Sequence, residues 1–277
     1  MKQFNESYAV ATPVFASIAI PPTPAILLAI REAHQQNASL VDIAQLISQD
    51  DSLVMAVLKA INSSFYCLRE RICSIEQAIK LLGMRNISIL IIGLSLRNIT
   101  PLYKYDISWC HHVKTALVAS NLVQLLGGEI NQFDSYLFGL FHDCGKILLF
   151  KTYESYQETL ILASTSTQHL VVHEMKRYAT DHALVGALLS QAWCLPEHIC
   201  AGIKIHHDIH AFRGALATKE TLALIALNNL AEYLASKDFV YNDSEWLRYS
   251  NEFMEYLKIT DHQLTELQTQ VDKILIF

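Results

Sequence analysis

An excess of basic charge, paired cysteines and long apolar runs are all missing from this chain, and glycine and proline are sparse. Its 277 residues carry 21 Lys and Arg against 27 Asp and Glu, a formal net charge of -6, with the bases scattered rather than striped. The electrostatic footprint that nucleic acid requires is absent, which excludes general nucleic-acid binding as a main activity. The six cysteines (Cys67, Cys73, Cys110, Cys144, Cys194 and Cys200) never approach a C-x-x-C spacing. A chain this long can build its core without staples, so they read as free, mostly buried thiols in a reducing cytoplasm. No run reaches the roughly 18 uncharged apolar residues of a membrane span. Tyr8 to Ile20 is apolar, but Glu6 precedes it, Pro13 interrupts it and Pro21-Pro22 stands where a signal cleavage site should be, which argues against a signal peptide. The expectation is a soluble cytoplasmic protein with no membrane partner.

Hydrophobic residues make up 52% of the chain, against nine Gly and six Pro, which favours one large or two modest globular domains over disorder. The apolar positions recur with a helical period nearly throughout, so the fold class is all-α. Pro24 sits in the first turn of a helix to about Gln35, Ser39 and Asp42 form a capping pair, and Ser74 opens a helix that stops at Gly83. A helix follows over 86–98, and Pro101 to Tyr105 breaks the pattern and forms a joint. Further helices are expected over about 106–126, across 137–149, over 153–164 and 169–178, from His182, from Pro196 and over Lys219 to Ala235. Two amphipathic helices close the chain, suited to the core or to a homo-oligomer contact. The expected organisation is two packed helical lobes: an N-terminal lobe at 1–105, a second helical core at 106–237, and C-terminal helices packed on it at 238–277.

The stretch Leu137-Phe-Gly-Leu-Phe-His-Asp-Cys-Gly-Lys-Ile-Leu-Leu149 sets a His-Asp pair and a lysine in the middle of an apolar helix. Buried charge is costly unless paired or bound to a metal, so His142 and Asp143 read as a ligand pair, with Gly145 letting Lys146 approach whatever is bound. More histidines stand at separated helical positions: His111 and His112, His182, and His206 with His207. His34, His112, His169, His173, His198, His210 and His262 read as ordinary surface or hydrogen-bonded histidines, and Cys144 as a packing residue.

Together these motifs resemble an HDOD domain, the divergent branch of the HD metal-dependent phosphohydrolase superfamily found in bacterial signalling proteins. The resemblance runs from Ile20 to Ala235. It is carried by Pro21-Pro-Thr-Pro24, Ile47-Ser-Gln-Asp50, Ile61-Asn-Ser-Ser-Phe-Tyr66, Ser74-Ile-Glu-Gln-Ala-Ile-Lys-Leu-Leu-Gly83, Trp109-Cys-His111, His142-Asp143 and Asp181-His-Ala-Leu-Val-Gly186. It implies an HD-like core in the second lobe, with His111, His142 and Asp143 as ligands of a divalent Fe, Mn or Zn ion. It also implies Lys146 facing phosphate, and His182, His206 and His207 in the place of additional ligands in the HD-GYP relatives. If the site is active, Asp143 and Lys146 are its catalytic residues.

Two positions depart from that pattern. Asn228 stands where the family has a later aspartate, and Ile107 where some relatives carry an acid one turn before the first histidine. The Gly-Tyr-Pro element is missing from His206-His-Asp-Ile-His-Ala-Phe-Arg-Gly214. The anionic ligand count falls to one, so the favoured reading is a non-catalytic signalling module with a degenerate metal site, engaging a nucleotide or a signalling protein. The alternative is a metal-dependent phosphohydrolase acting on a nucleotide or cyclic dinucleotide, and a third reading is a purely structural oligomerisation module.

Overall fold

A computed structural model of the chain describes residues 18–36, 38–62, 68, 70–99, 106–127, 130–214, 217–235 and 244–275. The joint at Pro101 to Tyr105, most of the Tyr8 to Ile20 run and the side chain of Ile107 lie outside the described residues. The fold is all-α, and among the described residues there is no strand. The helices are α1 Ala25–Gln35, α2 Leu40–Ile47, α3 Asp51–Ile61, α4 Ile75–Ile99, α5 Asp106–Leu126, α6 Gln132–Phe141 and α7 Cys144–Thr152. They continue as α8 Tyr156–Ser164, α9 Leu170–Tyr178, α10 His182–Ala192, α11 Glu197–Ile205, α12 Lys219–Ala235, α13 Ser244–Leu257 and α14 Asp261–Leu275, with a 3-10 turn at Ile209–Arg213. Among the described residues no single helix is long and apolar enough to cross a membrane.

Two compact units divide the chain, one comprising Met1–Pro21 and His112–Thr265, the other Pro22–His111 and Glu266–Phe277. The divisions therefore fall inside α5 and inside α14.

In the unit built on α1 to α4, local chemistry sets the helix ends. Ser39 and Asp42 form the expected capping box, each side chain bonding the other's backbone N–H, which satisfies two amides that the first turn leaves open. Asp50 caps α3 through the Leu53 N–H. Asn62 then clamps the returning chain, accepting from Ile72 N–H at 2.8 Å and donating to its carbonyl at 2.7 Å. Within α4, Gly83 takes φ 77°, ψ 162°, a backbone conformation that costs glycine nothing and other residues a good deal. The two arms consequently bend by 105°. Ile43, Ile47, Val57, Ile61, Ile79, Ile87 and Ile91 close into one buried cluster.

The other unit contains the His-Asp stretch. Here α10 packs against both α7 and α11, and α12 against α11, α6 and α13. The α7–α10 contact is set by glycine: a Cβ on Gly145 would lie 2.0 Å from the His182 carbonyl oxygen and 2.7 Å from Gly186 N. The sequence reading assigned Gly145 to ligand access; its observed role is to bring the backbone of α7 onto the first turn of α10. Similarly, a Cβ on Gly139 would meet Ala116 Cα at 2.7 Å, so α6 lies directly on α5.

The continuous helix expected across 137–149 is two helices. His142 ends α6, its N–H bonding Phe138 O, and Asp143 (φ -104°, ψ 5°) precedes α7 without capping it by its side chain. No proline marks this break and the apolar pattern runs straight through it, which is why periodicity joined the two.

Candidate metal centre

Four histidines are anchored through Nδ1 to an oxygen, and this pattern defines the centre. At the end of α6, His142 Nδ1 lies 2.8 Å from Gly139 O. At the end of α11, His206 Nδ1 lies 2.7 Å from Ile203 O, the same three-residue reach back into its own helix. His182, the first residue of α10, bonds Glu174 Oε2 through Nδ1 at 2.7 Å and through its backbone N–H at 3.1 Å. His207 bonds Glu245 Oε1 through Nδ1 at 2.7 Å. Carbonyl and carboxylate oxygens only accept, so each Nδ1 carries a hydrogen, and in the neutral ring Nε2 is left with its lone pair.

Those Nε2 atoms converge on Asp143. Its Oδ1 is 3.2 Å from His182 Nε2 and 3.9 Å from His206 Nε2, while the Nε2 atoms of His182 and His207 are 2.8 Å apart. One ligand atom from each of Asp143, His182, His206 and His207 falls within 4.8 Å of the others. Asp143 Oδ1 and His206 Nε2 are buried without a hydrogen-bond partner, a costly state for polar atoms unless something else occupies the space between them. A carboxylate and three imidazoles suit Fe, Mn or Zn, so the donor set fits a divalent transition metal.

The other oxygen of Asp143 faces different groups. Lys146 Nζ donates to Oδ2 at 2.5 Å, and His142 Nε2 is 3.5 Å from Oδ2 and 2.9 Å from Glu232 Oε1. Burial alone would drive the His142 proton off, but Asp143 and Glu232 together raise its pKa to about 10. Burial likewise opposes charge on Asp143, yet Lys146 and His142 hold its carboxyl well below the usual range. Burial and then the His182 and His142 charges press His206 down to about 3, and burial and neighbouring imidazoles hold His207 well below its ordinary value.

Of the residues singled out from sequence, His142, Asp143, Lys146, His182, His206 and His207 come together. His111 is buried on α5, at the residue of that helix where the two compact units divide. Asn228 is buried on α12, but its Oδ1 has no hydrogen-bond partner and its Nδ2 donates to Glu232 Oε2 at 3.4 Å. Glu232, one turn further along α12, sets its Oε1 2.9 Å from His142 Nε2, a second carboxylate beside that of Asp143. An acid one turn after the altered position, in the apolar second half of the helix, was the signal that could have found it.

Four further residues were missed or misread. Glu174 is buried behind His182 and takes a hydrogen bond from Tyr156 OH as well. Glu245 stands behind His207. His169, read as ordinary, packs its ring 4.2 Å from that of His207. His112, also read as ordinary, is buried with its ring centroid 5.9 Å from that of His142. Cys144 is a packing residue as expected: it is buried against Gly186, and burial pushes its thiol far above the ordinary value, which removes it as a nucleophile.

Fold and site thus define an all-α protein organised around a His-Asp pair ringed by histidines. The chain belongs to the HDOD domain family, whose model matches residues 20–209. Among curated proteins, it is 30% identical over 210 residues to a protein of Treponema pallidum (strain Nichols) described only as uncharacterized. That match takes in 72% of this chain and spans 40% of the relative's length. Among solved structures, it is similar to an HDOD domain protein of unknown function from Geobacter sulfurreducens, with TM-score 0.64, 23% identity and coverage of 92% and 93% of the two chains. It is also similar to a presumed phosphohydrolase from Shewanella amazonensis SB2B, with TM-score 0.72, 19% identity and coverage of 95% and 94%. At these identities the solved structures speak for the shared fold.

Proposed function

We propose that this HDOD chain binds a divalent transition metal through His182, His206, His207 and Asp143 Oδ1, and acts as a metal-dependent phosphohydrolase on a phosphoester of the nucleotide or cyclic-dinucleotide class. The observation that carries the reading is the set of four histidines fixed through Nδ1, three of them turning Nε2 toward one carboxylate oxygen. A bound divalent ion supplies Lewis-acid polarisation of a phosphoryl oxygen and a water of lowered pKa. The chain's own residues hold the site: Glu174 and Glu245 fix two ligand rings, Asp143 carries the central negative charge, and Glu232 accepts the His142 proton. Lys146, beside them on α7, offers a cation for phosphate.

A second reading, a regulatory module without turnover, is supported by the Lys146–Asp143 ion pair. An ammonium already neutralises the carboxylate that a metal needs, and Asn228 contributes no charge. Metal analysis of the purified protein, paired with assays on a generic phosphodiester and on cyclic dinucleotides, separates the two. Bound metal with turnover lost in His142→Ala and Asp143→Ala supports the hydrolase; metal without turnover supports the regulatory module.

A further inference from the structure

Glu245 lies beyond the residues that the family model matches, on the first turn of α13, yet the residue is only 6% exposed. Its Oε1 accepts the His207 Nδ1–H at 2.7 Å and lies 3.1 Å from His169 Nε2. The His169 tautomer follows from its other nitrogen, since Nδ1 accepts the Val171 N–H at the start of α9. The helix that brings Glu245 there is held independently. Trp246 stacks on Tyr233 of α12 with centroids 4.8 Å apart, Phe253 meets Phe212, and Arg248 Nη2 donates to Thr167 O at 2.6 Å, two residues before His169. Glu245 and Arg248 thus stand one turn apart on α13 and grip the same approach to α9.

We infer that Glu245, backed by His169, is a positioning residue for the metal centre: it fixes His207 in the tautomer and ring orientation that turn Nε2 inward, so that α13 is a working part of the site. The inference rests on the metal reading above. A carboxylate that accepts from the far nitrogen of a ligand histidine raises that ligand's basicity and stops its ring from turning, and removing such a partner typically costs about 10–100-fold in metal affinity. His169 keeps the Glu245 carboxylate from swinging away, because its own ring is fixed by the α9 amide.

The test is Co2+ titration of the chelator-stripped full chain, followed by visible absorption and chelator competition, on the unmodified protein, Glu245→Ala, Glu245→Gln and Arg248→Ala. Affinity should fall about 10–100-fold in Glu245→Ala, recover part of the way in Glu245→Gln, which keeps an acceptor but not the charge, and stay near the unmodified value in Arg248→Ala. Glu245→Gln carries the decision if Glu245→Ala fails to fold. Unmodified Co2+ affinity and spectrum in both Glu245 variants overturns the inference while leaving the metal reading in place. An equal loss in Arg248→Ala also overturns it, since helix docking alone would then account for the effect. No cobalt uptake by the unmodified protein overturns both.

Discussion

The Nε2 atoms of His182 and His207 lie 2.8 Å apart, each ring anchored from behind by a buried carboxylate, Glu174 and Glu245. Two inward lone pairs at that distance repel unless a proton or a metal ion stands between them. His182 is the ring placed to hold the proton: burial lowers its pKa, but Glu174 and Asp143 together offset this and the net direction is upward. His207 is pushed the other way.

The metal-free centre should therefore destabilise the fold on both sides of neutrality. Burial holds His206 near 3 and His169 near 4, with His207 also depressed, so the unfolded chain takes up their protons first as pH falls from about 6.5. Stability held by these groups is lost on the way down to about 3. His142, raised to about 10, and His182, also raised, hold stability below about 6.5 that is lost as pH climbs. Calorimetry of the chelated protein should give a melting temperature highest near pH 6.5 and lower at pH 4.5 and pH 9. A flat profile contradicts the protonation scheme.

Lys146→Met leaves Asp143 buried without its cation. Breaking a buried pair by removing one partner costs about 3–5 kcal/mol, so the metal-free variant should melt well below the unmodified protein. A divalent ion restores the missing positive charge, and added Zn2+ or Mn2+ should close most of the gap. Equal loss with and without metal would separate Lys146 from the centre.

Gly145→Ala drives a methyl into the His182 carbonyl, where backbone cannot yield as a side chain tip can. The crossing of α7 and α10 must open, at a cost of about 1–3 kcal/mol or more. Asp143 and His182 are carried on those two helices, so metal affinity should fall with stability. Denaturant unfolding and metal titration of the same variant check both.

Much of this molecule was legible before its coordinates. Helix starts with side-chain chemistry, such as the Ser39–Asp42 box, the Asp181 cap before His182 and the bend at Gly83, are written in two or three adjacent residues. So were six of the clustered residues, through the His-Asp stretch and its resemblance. The carboxylates were not. Glu174, Glu232 and Glu245 meet His182, His142 and His207 across sequence separations of 8, 90 and 38 residues, and helical periodicity says nothing about which distant turns touch. Gly145 was misread for the same reason, since the residue it must avoid lies on another helix.

Glu232 and Asn228 can be told apart by charge. Glu232→Gln removes the second carboxylate and the partner that holds the His142 proton, so metal affinity should drop by an order of magnitude or more, roughly the 10–100-fold that outer partners cost. Asn228→Asp sets a second carboxylate one turn from Glu232, which should lower the melting temperature without metal and enlarge the rise that metal produces. Thermal melts of both variants with and without Mn2+ read this out; identical behaviour of Asn228→Asp and the unmodified protein would place Asn228 outside the centre.

Metal content bears most directly on the centre itself. The protein, purified without added metal and measured by inductively coupled plasma mass spectrometry, should carry Fe, Mn or Zn in stoichiometric amount, and the metal should be lost in Asp143→Ala and His206→Ala variants that keep their helical circular dichroism. Protein that is metal-free as isolated and takes up none of the three ions on dialysis would contradict the account.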